Sequence, residues 1–215
     1  MKRRDYGQYC GLARALELIG ERWALLIVRN LAVRPHRYTD LLDGLPGIPT
    51  NVLSTRLKEL EHSGTIERRI APAPQRGVLY ALTPLGHELE PAIFALGRWG
   101  ALHMDEPRPG EIVTSESVIM NLRGVFDAEA AAALSACWEI RAPDLVLHLV
   151  VTDGKLEAGV GPAPAEPDLV ITFQPDELPS YRELMQAAKC GLVELSGRRE
   201  LLDTFLRVFA IPQPV

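Results

Sequence analysis

The chain has no stretch of about 18 uncharged apolar residues, so it contains no candidate membrane helix. It has only three cysteines, Cys10, Cys137 and Cys190, spread along its length with no C-x-x-C pair. That scarcity excludes a disulfide scaffold and a cysteine-built zinc site, and fits reduced thiols in a cytoplasmic setting. There is no G-x-x-x-x-G-K-[ST], no H-E-x-x-H and no G-x-S-x-G, so none of the common phosphate-cradling, metalloprotease or hydrolase signatures is available. The basic start Met1-Lys2-Arg3-Arg4 is followed by polar residues, not by the apolar core of a secretory leader. With 47% apolar and 24% charged residues, the composition excludes a mostly disordered or collagen-like chain. What is present is 215 residues of folded-protein composition, a length that suits two modest domains.

The net charge of −5 is unevenly spread. Residues 1–105 hold 14 Lys and Arg against 11 Asp and Glu, a net +3; residues 106–215 hold 9 against 17, a net −8. A basic half joined to an acidic half is expected where one half meets nucleic acid. The seam is Asp105-Glu-Pro-Arg-Pro-Gly110, where two prolines and a glycine discourage helix. It separates two expected domains, residues 1–106 and residues 111–215.

Upstream of the seam the pattern is helical. Leu12, Leu16, Ile19, Trp23, Ile27 and Leu31 recur at helical spacing, with a break expected near Gly20. A short helix is expected over Tyr38–Leu42, a second over Thr50–His62, and β-compatible runs over Thr65–Ile70 and Val78–Leu82. Thr83 and Pro84 then open a helix expected to run to about Met104. Helix, short helix, turn, helix, ribbon and helix is the order of a winged helix-turn-helix. On the second helix Leu53, Leu57 and Leu60 form an inward stripe. Thr50, Asn51, Thr55 and Lys58, with Ser54 at the border, can donate to base edges and phosphates. Arg37, Arg68, Arg69 and Arg76 are phosphate candidates, the last three on the ribbon. Arg56 can serve either as a phosphate contact or as half of an internal ion pair.

The segments Cys10-Gly11, Leu18-Ile-Gly-Glu-Arg-Trp23, Arg37-Tyr-Thr-Asp-Leu41, Leu45-Pro-Gly-Ile48, Leu53-Ser-Thr-Arg-Leu-Lys-Glu-Leu60 and Tyr80-Ala-Leu-Thr83 resemble the HxlR family of bacterial winged-helix regulators. The resemblance spans roughly residues 7–104. It implies a homodimer that places two recognition helices on a double-stranded DNA operator. Leu12 and Leu16, with Leu89, Ile93, Leu96 and Trp99, are the expected dimer surface. The chain has Cys10-Gly11 where the family often has Cys-Pro. Some members sense oxidants through a cysteine at this place, so Cys10 is a redox candidate, with Arg14 one turn later able to stabilise a thiolate.

The second half reads as α+β. Helices are expected over 111–126, Ala128–Leu134 and Arg198–Phe209, with a helical stretch opening at Gln174-Pro175-Asp176. Strands are expected over Cys137–Arg141, Leu145–Val151, Lys155–Gly159, Leu169–Phe173 and Leu192–Leu195, and Asp153-Gly154 is a strong hairpin signal. The runs Pro167-Asp-Leu-Val-Ile-Thr-Phe173, Gly191-Leu-Val-Glu-Leu-Ser-Gly197 and Leu201-Leu-Asp-Thr-Phe-Leu206 resemble the sterol carrier protein type 2 fold. That resemblance implies a noncatalytic site for an apolar or amphipathic small molecule. Candidate lining residues are Trp138, Ile140, Leu147, Ile171, Phe173, Tyr181, Leu184, Met185 and Phe205, each of which core packing also explains. His148 alternates within an apolar strand and reads as structural; no cofactor, metal or catalytic group is expected. The function expected is a ligand-responsive regulator. The rival is a hydrophobic-metabolite carrier whose winged domain serves only to dimerise.

Overall fold

The computed structural model describes residues 5–74, 76–104, 108, 111–143, 145–173, 187–188 and 190–210. Two units are distinguished, Met1–Ile93 and Phe94–Val215. Of the expected seam, Arg108 alone lies among the described residues.

In the first unit the opening apolar stripe forms α1 (Gly11–Ile19) and α2 (Ala24–Val33). They part after Gly20, where Trp23 takes φ +80°, a left-handed conformation uncommon for a side chain of this size. Ile27, Val28 and Leu31 of α2 are buried. α3 (Tyr38–Asp43) starts where the Asp40 carboxylate accepts the Arg37 amide at 2.9 Å, an N-terminal cap. α4 (Thr50–His62) follows Pro49 and buries Leu53, Leu57 and Leu60. Gly64, at φ +74°, turns the chain into an antiparallel ribbon of β1 (Ile66–Ile70) and β2 (Val78–Leu82), paired from Ile66–Leu82 to Ile70–Val78. His36 bonds reciprocally with Tyr80 along β2, at 3.0 and 2.8 Å.

The single helix expected from Thr83 to Met104 is two. α5 (Pro84–His87) is capped by the Thr83 hydroxyl, which accepts the Gly86 amide at 3.1 Å; α6 (Glu90–Ala101) follows after a turn. The reason is Pro91, which has no N–H to give to the His87 carbonyl and whose ring crowds that oxygen. Near the start of α6 the same proline is tolerated.

In the second unit α7 spans Ser115–Val125, capped by Thr114 and Ser117. Of residues 111–114, expected as helix, 111–113 precede that cap and Thr114 is the cap itself. The alanine-rich run 128–134 is a chain of turns and not a helix, held by Ala132 to Glu129 at 3.2 Å and Leu134 to Ala131 at 2.9 Å. The hairpin tip at Gly154 packs against this run, so near that an added Cβ there would stand 3.1 Å from the Ala128 carbonyl oxygen.

The strands are β3 (Ser135–Ala142), β4 (Leu145–Thr152), β5 (Lys155–Val160), β6 (Leu169–Phe173) and β7 (Val193–Gly197), followed by α8 (Leu201–Val208). The β4–β5 turn forms as its sequence predicts, with Asp153 at φ +48° and Gly154 at φ +73°. The sheet order is β5-β4-β3-β6-β7, antiparallel except for the central β3–β6 pair. One face carries Trp138, Ile140, Leu147, Leu149, Leu169 and Ile171, all buried, against the buried side of α7 and α8. The helical stretch expected from Gln174 lies outside the described residues.

Candidate nucleic-acid interface and the apolar layer of the second unit

α4 divides its residues by helical period. The leucine stripe fixes the helix in the first unit, so the stripe opposite is turned outward. Asn51 and Lys58 are exposed there, Thr50 is exposed at the N-terminus, and Ser54 and Thr55 are half-buried. Thr55 donates its hydroxyl to the Asn51 carbonyl at 2.8 Å, leaving its oxygen as an acceptor. Tyr38 of α3 donates to the Thr50 carbonyl at 2.8 Å and lies 3.2 Å from the Ser54 hydroxyl, which ties α3 to the first turns of α4. This face is polar, hydrogen-bonding and of one helix width, the properties a major-groove reader needs.

The arginines separate into distinct roles. Arg56, left open between two readings, is an internal ion-pair residue: its guanidinium bonds Glu21 at 2.9 Å and also Glu59. Arg68 bonds Glu61 at 2.8 Å, a pairing that raises its pKa further, and Arg69 bonds Glu67 at 2.6 Å. Both are exposed, so phosphate contact requires exchange of a carboxylate partner. Arg76 is exposed at the tip of the ribbon. Arg37 is half-buried and donates to the Arg76 carbonyl at 2.7 Å, across 39 residues. A link between such distant positions leaves no trace in local sequence pattern.

Cys10 is exposed at the N-cap of α1, and the Ala13 and Leu12 amides lower its thiol pKa. The helper expected for it is a different one. Arg14 pairs with Glu17, three residues on, so the amides at the start of the helix replace the guanidinium as the stabilising charge.

In the second unit Trp138, Ile140, Leu147, Ile171, Phe173 and Phe205 are all buried in one layer. Phe205 lies 6.0 Å from Trp138 and 5.0 Å from Phe209 between ring centroids, and the Trp138 indole donates to the Leu201 carbonyl at 3.3 Å. Tyr181, Leu184 and Met185 lie outside the described residues.

The opposite sheet face holds a group that sequence reasoning missed. Glu139 is only 2% exposed. Its carboxylate accepts Arg141 at 2.6 Å and the Ala163 amide at 2.7 Å. Burial opposes its ionisation, but the Ala163 amide, Arg141 and His148 outweigh that and lower its pKa. The signal available was an acid in the middle of an apolar strand. His148 faces Glu139 in register and its Nδ1 lies 3.1 Å from the Gly161 carbonyl, the structural role expected of it. Among the described residues no group of three His, Cys, Asp or Glu could hold a metal ion, and no helix is long and apolar enough to cross a membrane.

Residues 18–108 match the HxlR-like helix-turn-helix family. The HTH-type transcriptional regulator sll1512 of Synechocystis is 35% identical over 97 residues, covering 45% of this chain and 72% of that protein. The HTH-type transcriptional regulator YodB of Bacillus subtilis is 32% identical over 102 residues, covering 47% of this chain and 88% of that one. The crystal structure of quinone-bound YodB superimposes with a TM-score of 0.37 at 30% identity, covering 42% of this chain and 96% of YodB.

Proposed function

Over residues 18–108 the chain belongs to the HxlR-like helix-turn-helix family of transcriptional regulators, and from that premise we propose that it works as a homodimer that reads duplex DNA with α4 and answers to an apolar or amphipathic small molecule bound by its second unit. The observation that carries the DNA reading is the division of α4 into a buried leucine stripe and an outward Asn51/Thr55/Lys58 stripe. A helix used only for dimerisation would present apolar residues there, which argues against the carrier reading. Exposed apolar residues do occur, but on other helices: Leu12 and Leu16 on α1, Leu96 and Trp99 on α6. These support pairing between subunits through those helices.

The small-molecule reading rests on the second unit. An open sheet with helices against one face and an aromatic-rich layer between them supports the sterol-carrier-like reading of residues 111–215. The division into a DNA-binding domain, 1–106, and a ligand domain is part of the same proposal. A second reading, redox sensing, is favoured by one observation: Cys10 is exposed and its thiol pKa is lowered.

The test is a band-shift on the DNA flanking the chain's own gene, repeated with a panel of apolar metabolites and with a quinone. Asn51→Ala should relax base preference at a cost of about 1–3 kcal/mol. A metabolite response that survives Cys10→Ser supports the second unit as the sensor. A response abolished by Cys10→Ser favours the thiol. Loss of neither affinity nor preference in Asn51→Ala would reject α4 as the reader.

A further inference from the structure

Two neighbouring hydroxyls of α4, Thr55 on the outward stripe and Ser54 at its border, both have their protons engaged within the protein. Thr55 Oγ1 donates to the Asn51 carbonyl at 2.8 Å. Tyr38 gives its single phenolic proton to the Thr50 carbonyl at 2.8 Å, so in its 3.2 Å contact with Ser54 the serine is the donor. Arg56, the next residue along the helix, directs its guanidinium to Glu21 and Glu59. At this level α4 therefore offers oxygen lone pairs, while the exposed Asn51 and Lys58, a turn to either side, carry N–H groups.

Both partners are set by the folded unit. Tyr38 opens α3, whose start is held by the Arg37 amide bond to Asp40 at 2.9 Å and whose Leu41 is buried. Leu45 and Ile48, between α3 and α4, are buried as well. The Thr55 bond lies within α4 and moves with it.

In the major groove each base pair exposes several acceptors but one kind of donor, an exocyclic amino group, N6 of adenine or N4 of cytosine. A hydroxyl with a free proton meets amino and carbonyl groups alike. A hydroxyl already bonded inward gains a hydrogen bond by accepting from an amino group and keeps the one it has. Opposite guanine O6 or thymine O4 it must first give up its internal bond, so the exchange gains nothing. One net hydrogen bond separates the two cases, about a fivefold difference in affinity.

Resting on the DNA reading above, we propose that Ser54 and Thr55 are acceptor-only readers that select adenine or cytosine over guanine and thymine on the strand they face. Thr55 lies one helical turn from Asn51, about 6 Å along the axis. At about 3.4 Å per base pair, the selected base falls within about two base pairs of the one Asn51 contacts. A competing role exists for Thr55: its methyl group can pack on the thymine methyl, which demands a keto base at the same place.

The experiment sequences the duplexes that the full chain retains from a random pool, then measures the enriched duplex and its single transitions by fluorescence anisotropy. A transition, A to G or C to T, swaps amino for keto and keeps the purine or pyrimidine. Within about two base pairs of the position that Asn51→Ala relaxes, the expected base carries an amino group. Its transition should weaken binding about fivefold. Thr55→Val keeps the β-branched shape without the oxygen and Ser54→Ala removes the other acceptor, so with both changes the duplex and its transition should bind alike. Thr55→Ser keeps the oxygen and should keep the preference. Guanine or thymine at that position, or a preference that survives the loss of both hydroxyls, overturns the acceptor reading and leaves α4 as a reader. Enrichment of no sequence from the pool, with no binding to the DNA flanking its own gene, overturns the DNA reading, and the acceptor reading with it.

Discussion

Leu57 and Lys58 are neighbours on α4, yet their truncation should affect different properties of the chain. Leu57 is 2% exposed within the leucine stripe, whereas Lys58 is exposed on the outward face. Leu57→Ala removes three carbon atoms from packed surroundings that relax only in part, at a cost of about 2–5 kcal/mol. For a unit ending at Ile93, each kcal/mol lowers the midpoint of thermal unfolding by about 4–8 °C, so a fall of roughly 10 °C or more is expected. Lys58→Ala buries and exposes nothing and should change stability by less than about 0.5 kcal/mol. Its effect should fall on DNA. Losing one phosphate contact lowers the slope of log affinity against log salt by about 0.9. Circular dichroism melts and anisotropy titrations over a salt series measure both quantities on the same samples. Below its melting temperature Leu57→Ala should keep the unaltered salt slope. If Lys58→Ala leaves the slope unchanged, or Leu57→Ala alters it in the folded protein, the assignment of the two faces of α4 is wrong.

Assembly gives another prediction. Leu96→Lys with Trp99→Lys places charge on the exposed apolar side of α6 and should shift light-scattering mass from dimer to monomer at micromolar concentration; an unchanged mass would exclude α6 from the contact. Glu139 gives a pH dependence. Its folded pKa is lowered, so its stabilisation is present above the unfolded value of about 4.3 and is lost as pH falls through the folded value. Glu139→Gln should cost about 1–3 kcal/mol at pH 7, and the gap should close in acid. Urea melts at several pH values measure this, and parallel profiles for the two proteins would refute the ion pair as its source.

Pro91 shows that a signal can be present in the sequence and still be passed over. A proline that cannot bond the carbonyl four residues back predicts the break between α5 and α6, but the strong Thr83–Pro84 start and the apolar repeat favoured one long helix. The alanine run after α7 is the reverse case. Its alanines favour helix locally, but the Gly154 hairpin tip packs against it.

The sequence by itself determined what depends on neighbours a few residues apart. Helix periodicity placed α4 and its leucine stripe, Thr83 and Pro84 placed a helix start, and Asp153-Gly154 placed a hairpin whose turn requires positive φ. Period-two alternation placed the strands of the second unit and put Trp138, Ile140, Leu147 and Ile171 in its buried layer. Only the tertiary structure decided the distant partners of the polar and charged groups. Arg56 meets Glu21 across 35 residues, Arg37 meets the Arg76 carbonyl across 39, and Glu139 meets the Ala163 amide across 24. A flexible charged side chain reaches several ångströms in any direction, so its position along the chain constrains its partner very little. A branched apolar side chain on a helix or strand has its direction set by the backbone, and a periodic stripe of them is driven to bury itself on one face.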